Sequence, residues 1–200
     1  QLKEIRSLME RSSRFVSLSG ITGVIAGLSA LLGVIIAYQY LDLAWNQANY
    51  YQLAIGAEAE TFRDFLLIDF CIVLLVALLS SLFFTSRKAN QQGQAIWDAT
   101  AQRLFFNMMI PLAVGGIYAL ILLYHGQIAF IAPVTLLFYG LALVNASKYT
   151  LKEVRWLGMG QIITGLVAAM AIGYGLLFWA FGFGILHVVY GIGMYIKYER

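Results

Sequence analysis

Three features of this sequence predict an all-α polytopic membrane protein, a bundle of six transmembrane helices in three antiparallel hairpins. Hydrophobic residues make up 61% of its 200 positions, whereas charged residues make up only 12%, against about 25% in an ordinary soluble domain. The mean hydropathy of +0.79 leaves no polar coat for a particle in water. The apolar residues also fall into six blocks, each near the roughly 20 residues a helix needs to cross a hydrocarbon core. Together these features exclude a soluble enzyme, a nucleic-acid binder and a disordered chain.

The six blocks run from about Phe15 to Tyr38, Phe65 to Phe84, Leu104 to Leu123, Ile128 to Ala146, Leu157 to Phe178 and Phe181 to Ile196. Every Lys, Arg, Asp and Glu lies outside them except Asp69. The whole chain therefore reads as one transmembrane domain. The connections at His125-Gly126 and Ala180-Phe181 are so short that helices three and four, and helices five and six, must double back as hairpins.

Basic residues set the orientation, because Lys and Arg stay on the cytoplasmic side. Lys3, Arg6, Arg11 and Arg14 precede the first block; Arg87, Lys88 and Arg103 lie in the second connection; Lys148, Lys152 and Arg155 lie in the fourth; Lys197 and Arg200 end the chain. Arg63 is the one basic residue on the opposite face. Both termini are thus expected in the cytoplasm. The basic sequence pI of about 9.0 reports topology rather than affinity for nucleic acid.

Within residues 1–14, Leu2, Ile5, Leu8 and Met9 share one helical face and Lys3, Arg6 and Glu10 the other, the pattern of a helix lying in the cytoplasmic interface. Trp45, Tyr50 and Tyr51, in the first outer connection, suit an aromatic belt. Cys71, the sole cysteine, sits in the run Phe70-Cys71-Ile72-Val73 and reads as a small core residue.

Small residues carry helix packing in lipid, where tails as apolar as leucine remove the hydrophobic drive between helices. Gly20, Gly23, Gly27 and Ala30 form such a stripe on helix one, and Gly173, Gly175, Gly191 and Gly193 supply small residues to the last hairpin. The stripes suit packing within the bundle; a homodimer through the same faces is the alternative. Pro111 and Pro133 are expected to kink the second hairpin. A three-fold hairpin repeat is suggested by Ile21-Thr22-Gly23 beside Ile163-Thr164-Gly165, and by Tyr118…Gly126 beside Tyr174…Gly182.

No motif of soluble catalysis is present: no G-x-x-x-x-G-K-[ST], H-E-x-x-H, C-x-x-C or G-x-S-x-G. The functional candidates are therefore the costly polar residues inside the bilayer. From the outer side, Asp69 is expected about 6 Å deep and His187 about 9 Å deep at 1.5 Å per residue, with His125 in the third loop on the same face. Asp69 and His187 suit a shared proton. Together with Glu58 or Glu60 they suit a divalent cation, zinc first. An inner polar layer is expected from Asn107, Asn145 and Gln161, with Ser80 and Ser81. Tyr118, Tyr139, Tyr174 and Tyr190 suit either a polar path or packing.

The opening Leu2-Lys3-Glu4-Ile5-Arg6-Ser7-Leu8-Met9-Glu10-Arg11-Ser12-Ser13-Arg14-Phe15, running into the small-residue first helix, resembles a family of bacterial six-helix inner-membrane proteins with no known activity. The resemblance covers the first 30 residues or so. It implies a bacterial inner membrane and carries over no functional residue. The leading expectation is a small permease or channel-like transporter, proton- or cation-linked. The alternative is a non-transporting scaffold, sensor or accessory subunit whose basic segments dock a cytoplasmic protein.

Overall fold

The structure, a computed structural model, describes residues 19–42, 59–91, 93 and 97–200. The expected interfacial helix over 1–14, the aromatics Trp45, Tyr50 and Tyr51, and Glu58 lie outside these residues. Within them all regular structure is helical. The helices are α1 (Gly20–Tyr40), α2 (Ala59–Gln91), α3 (Ala99–Tyr124), α4 (Ile131–Ala146, entered through a 3₁₀ turn at Ile128–Phe130), α5 (Lys152–Met170) and α6 (Gly175–Tyr198). Five of them are long and apolar enough to cross a membrane. The other, α5, is less apolar because it opens on Lys152, Glu153 and Arg155 and carries Gln161.

Several boundaries differ from the sequence reading, most of all around the fifth connection. The fifth connection is Ala171–Tyr174, where Gly173 takes φ +107°, a value that L side chains rarely adopt. All four residues of this turn are small, apolar or aromatic, so no polarity marks it. The expected connection at Ala180-Phe181 is instead the start of a π-helical turn, Ala180–Leu186, inside α6. Consequently Gly126, in the turn after α3, and Gly182, inside a helix, are not equivalent positions, and the Tyr…Gly part of the repeat has no structural counterpart.

Alternation of the helices can be read from contacts at their ends. The first N–H of α1, on Gly20, is satisfied by the tail rather than by a local cap: it donates to Glu199 Oε1 at 2.7 Å. Ser19 Oγ donates to Oε2 of the same carboxylate at 3.3 Å, and Lys88 Nζ, near the end of α2, donates to Oε1 at 3.1 Å. A carboxylate at a helix N-terminus also meets the positive end of the helix dipole. Lys197, at the end of α6, pairs with Glu153 in the first turn of α5. One end of the bundle thus gathers the starts of α1 and α5 and the ends of α2 and α6. The opposite end is closed by hydrophobic contact, with Phe62 and Ile128 buried among Leu41, Leu66, Leu123 and Ile131.

Glycines bring the helices together. On α1, a Cβ at Gly20 would strike the α6 backbone at Tyr195, and one at Gly27 would lie 2.6 Å from Gly184 O. On α4 and α5, Gly140 and Gly158 face each other so closely that a Cβ on either would reach the other's carbonyl oxygen within 2.8 Å. The small-residue stripe of helix one is therefore covered by α6 of the same chain. Gly193 faces open space and takes no part in that contact.

The outer helices α2 and α3 each rest on the inner set at one glycine contact, Gly33 beneath Val73 and Asp69, and Gly115 against Phe138. Only 6% of the apolar stretch of either helix is buried, against 39% for α1 and α4. Cys71, expected in the core, is exposed on α2.

Candidate functional site

At the centre of the bundle, α4, α5 and α6 converge on one imidazole. Because α6 begins at Gly175 rather than near Phe181, His187 stands at the middle of a 24-residue helix and is only 5% exposed. Because α5 begins at Lys152 rather than Leu157, Gln161 stands at the middle of a 19-residue helix and is fully buried. The sequence reading put these residues in separate outer and inner layers; the true helix limits bring them to one level.

The π-helical turn just before His187 shapes the site. Such turns are rare and frequent at functional positions. Gly182, within it, offers its carbonyl oxygen sideways to two donors, Gln161 Nε2 at 2.7 Å and His187 Nδ1 at 3.0 Å. A carbonyl only accepts, so the second contact places the imidazole hydrogen on Nδ1. His187 Nε2 is then left to accept from the Tyr139 hydroxyl at 2.8 Å. The tautomer follows from this geometry, and the neutral ring has both nitrogens satisfied. Gln161 Nε2 also lies 3.4 Å from His187 Nδ1, a contact between two hydrogen-bearing nitrogens rather than a bond.

Aromatic rings enclose the imidazole. Tyr139 and Phe183 stack on it with centroids at 5.4 and 6.0 Å, and Trp179 packs on Phe183 at 4.9 Å. Gly182 has no room for a side chain, since a Cβ there would collide with Leu136 and come within 2.7 Å of Gln161 Oε1. That amide oxygen is buried without a hydrogen-bond partner, a costly arrangement in low dielectric.

The other candidates lie elsewhere. Asp69 places its carboxylate against Gly33 of α1, whereas the carbonyl of His187 approaches Gly23 of the same helix. Ten residues separate those glycines, about 15 Å along the helix, and the His187 ring is bonded toward α4 and α5. The structure does not bring Asp69 and His187 together. His125 is exposed in the turn after α3, edge-on to Tyr124 at 5.2 Å. Glu60 is exposed in the first turn of α2. Among the described residues, no three His, Cys, Asp or Glu side chains converge as a metal site would require.

Asn107 and Asn145 do meet, for a reason the sequence reading missed. Pro111 has no N–H, so the carbonyl four residues earlier, on Asn107, loses its helical donor. Asn145 Nδ2 from α4 supplies the missing hydrogen bond at 2.8 Å. The signal was available as a proline inside an apolar block with an asparagine four residues before it. Pro133 falls in the first turn of α4, where no interior hydrogen bond is broken. Ser80 bonds within its own helix, to Ala77 O at 3.0 Å. Of the tyrosines, Tyr118 and Tyr174 are exposed, and Tyr190 packs on the cluster of Leu143, Val154 and Leu157; only Tyr139 joins the central site.

No protein-family model, no curated protein and no solved structure matches this chain.

Proposed function

We propose that the chain crosses a bacterial inner membrane six times, with both termini cytoplasmic, and works as a small permease linked to protons or cations. The observation that supports this reading is the His187–Tyr139–Gln161 cluster, a titratable ring held at mid-helix beside a π-helical turn. Intramembrane ionisable groups are costly and are retained where they act. Nε2 is the atom of His187 that takes a proton. When it does, the Tyr139 hydroxyl must turn from donor to acceptor, so protonation reverses the bond joining α4 to α6. The π turn holds one residue more than an α turn would. Relaxing it shifts the rest of α6 by a residue and draws His187 away from Tyr139. Protonation and a helix register shift are thereby coupled, which is the element a carrier needs to alternate. Asp69 has no part in this version of the reading.

The test is ion flux into proteoliposomes carrying a pH-sensitive dye, driven by a potassium–valinomycin potential, with Na⁺, K⁺, Mg²⁺ and Zn²⁺ tried in turn. The expected result is flux above protein-free vesicles that is lost in His187→Phe and slowed in Tyr139→Phe, with both variants folded. Undiminished flux in His187→Phe, or none with any of these ions, overturns the reading.

The alternative, a non-transporting scaffold, sensor or accessory subunit, is favoured by a different observation. Lys88 and Lys197 are committed to carboxylates within the bundle, whereas Arg87 and Arg103 are exposed near one end of it, where a cytoplasmic protein has access to them. A partner recovered by the wild-type chain and lost in the Arg87→Ala/Arg103→Ala double variant would support it.

A further inference from the structure

The outer face of the bundle carries a groove of about 420 Å³ between α3 and α4. Its walls are Pro111 and Val114 on one side and Phe138 and Leu141 on the other, and Asn145 and Lys148 close one end. Phe138, Leu141 and Asn145 follow one another at steps of three and four residues, so the groove runs along a single ridge of α4 and meets Lys148 in the turn after it. From Phe138 to Asn145 it extends about 10 Å at 1.5 Å per residue.

The cation at its end is held in place by a chain of causes that begins with the proline. Pro111 leaves the Asn107 carbonyl without a donor, and Asn145 Nδ2 fills that vacancy at 2.8 Å. With its nitrogen so engaged, Asn145 turns its Oδ1 outward, where it accepts from Lys148 Nζ at 3.1 Å. An ammonium has three donors. Lys148 is exposed, and among the described residues no carboxylate pairs with it. A hydrocarbon-lined slot thus ends at an unneutralised positive charge just past the last turn of α4.

We propose that this groove binds an anionic phospholipid, with an acyl chain along Val114, Phe138 and Leu141 and the headgroup phosphate on Lys148. Charge complementarity selects the lipid, since an apolar slot alone takes any chain, whereas an ammonium with no carboxylate partner and two donors to spare favours a negative headgroup over a zwitterionic one. The proposal rests on α3 and α4 lying in a bilayer and not on transport, so a failed flux assay leaves it standing.

Native mass spectrometry of the protein released from mixed phosphatidylglycerol–phosphatidylcholine nanodiscs tests it. The wild type is expected to retain one phosphatidylglycerol in preference to phosphatidylcholine by about fivefold, the worth of one lysine at an anionic surface. Lys148→Ala abolishes the preference while retaining lipid; Val114→Trp, which fills the slot, loses the retained lipid of either kind; Lys148→Arg keeps the preference and shows that the site still folds. Arg155→Ala removes a charge outside the groove and leaves the preference intact. Millimolar inorganic phosphate does not displace the lipid. Equal retention of both lipids by the wild type, a preference surviving Lys148→Ala, an equal loss in Arg155→Ala, or displacement by phosphate would each overturn the proposal.

Discussion

Helix α2 is the most apolar of the five spanning-length helices, yet only 6% of its apolar stretch is buried; α6 is the least apolar of them, and 33% of its stretch is buried. The outer helix α3 and the inner helix α4 are equally apolar, yet 6% of one stretch and 39% of the other is buried, so hydrophobicity does not sort the inner helices α1, α4, α5 and α6 from the outer helices α2 and α3. In water an apolar face is buried because water rejects it. In lipid the tails accept leucine as readily as another helix does, so apolarity says nothing about which helix goes inside. Small residues and polar groups decide instead. The inner helices carry Gly20, Gly23, Gly27, Gly140, Gly158 and Gly191 at contacts where backbones nearly touch, and they carry Gln161 and His187. The outer helices carry long aliphatic side chains that no other helix needs to cover.

The largest expected effect falls on the inner set. A Cβ at Gly158 would come within 2.8 Å of Gly140 O and 2.9 Å of Val144 N, backbone atoms that have nowhere to go. Gly158→Val should therefore cost more than about 3 kcal/mol, the upper range for overpacking, and give no folded protein by size exclusion in mild detergent. A folded Gly158→Val protein of wild-type melting temperature would mean that α4 and α5 do not approach as described.

A smaller effect tests how α3 is attached. Asn145→Leu strands the half-buried Asn107 carbonyl and should cost about 1 kcal/mol, the lower end of the penalty for an unsatisfied acceptor. Pro111→Ala restores the helical donor, so the double variant Asn145→Leu/Pro111→Ala should recover most of that loss. Additive losses in a thermal-melt cycle would show that the two residues do not serve the same carbonyl.

The finest contrast lies within one helix. A Cβ at Gly115 would collide with Phe138, whereas one at Gly116 meets nothing within 4 Å. Gly115→Ala should destabilise. Gly116→Ala should stabilise by up to about 1 kcal/mol through helix propensity alone. Opposite shifts in melting temperature at adjacent positions would place the α3–α4 contact; shifts of the same sign would remove it.

Much of the fold was legible. Long apolar blocks with charges swept to their ends require helices, since a backbone in hydrocarbon must satisfy its own hydrogen bonds. The stripe Gly20, Gly23, Gly27 announced a close-packed face before its partner was known. The candidate site was only partly legible. His187 and Gln161 were recognisable as costly residues, but their depth depended on helix limits that apolar sequence does not mark, above all the turn at Ala171–Tyr174. Asp69 drew the opposite error: it stood out as the lone charge in a block, yet its surroundings are Gly33 and the outer helix rather than the imidazole.

The sequence by itself determined that this chain is helical and built for a membrane, that most of its apolar blocks are long enough to span, and which faces are small enough to touch. Those properties follow from composition and spacing along one helix, where each residue's neighbours are known. The partners of those faces were decided only in three dimensions. That α6 covers α1, that Glu199 caps a helix which begins 179 residues earlier, and that a glycine carbonyl in a π turn orients His187 toward Tyr139 all depend on residues distant in the chain. Lipid offers no preference among the many ways to pair apolar helices, so the pairing rests on close backbone contact and a few buried hydrogen bonds. Both exist only once the helices have met.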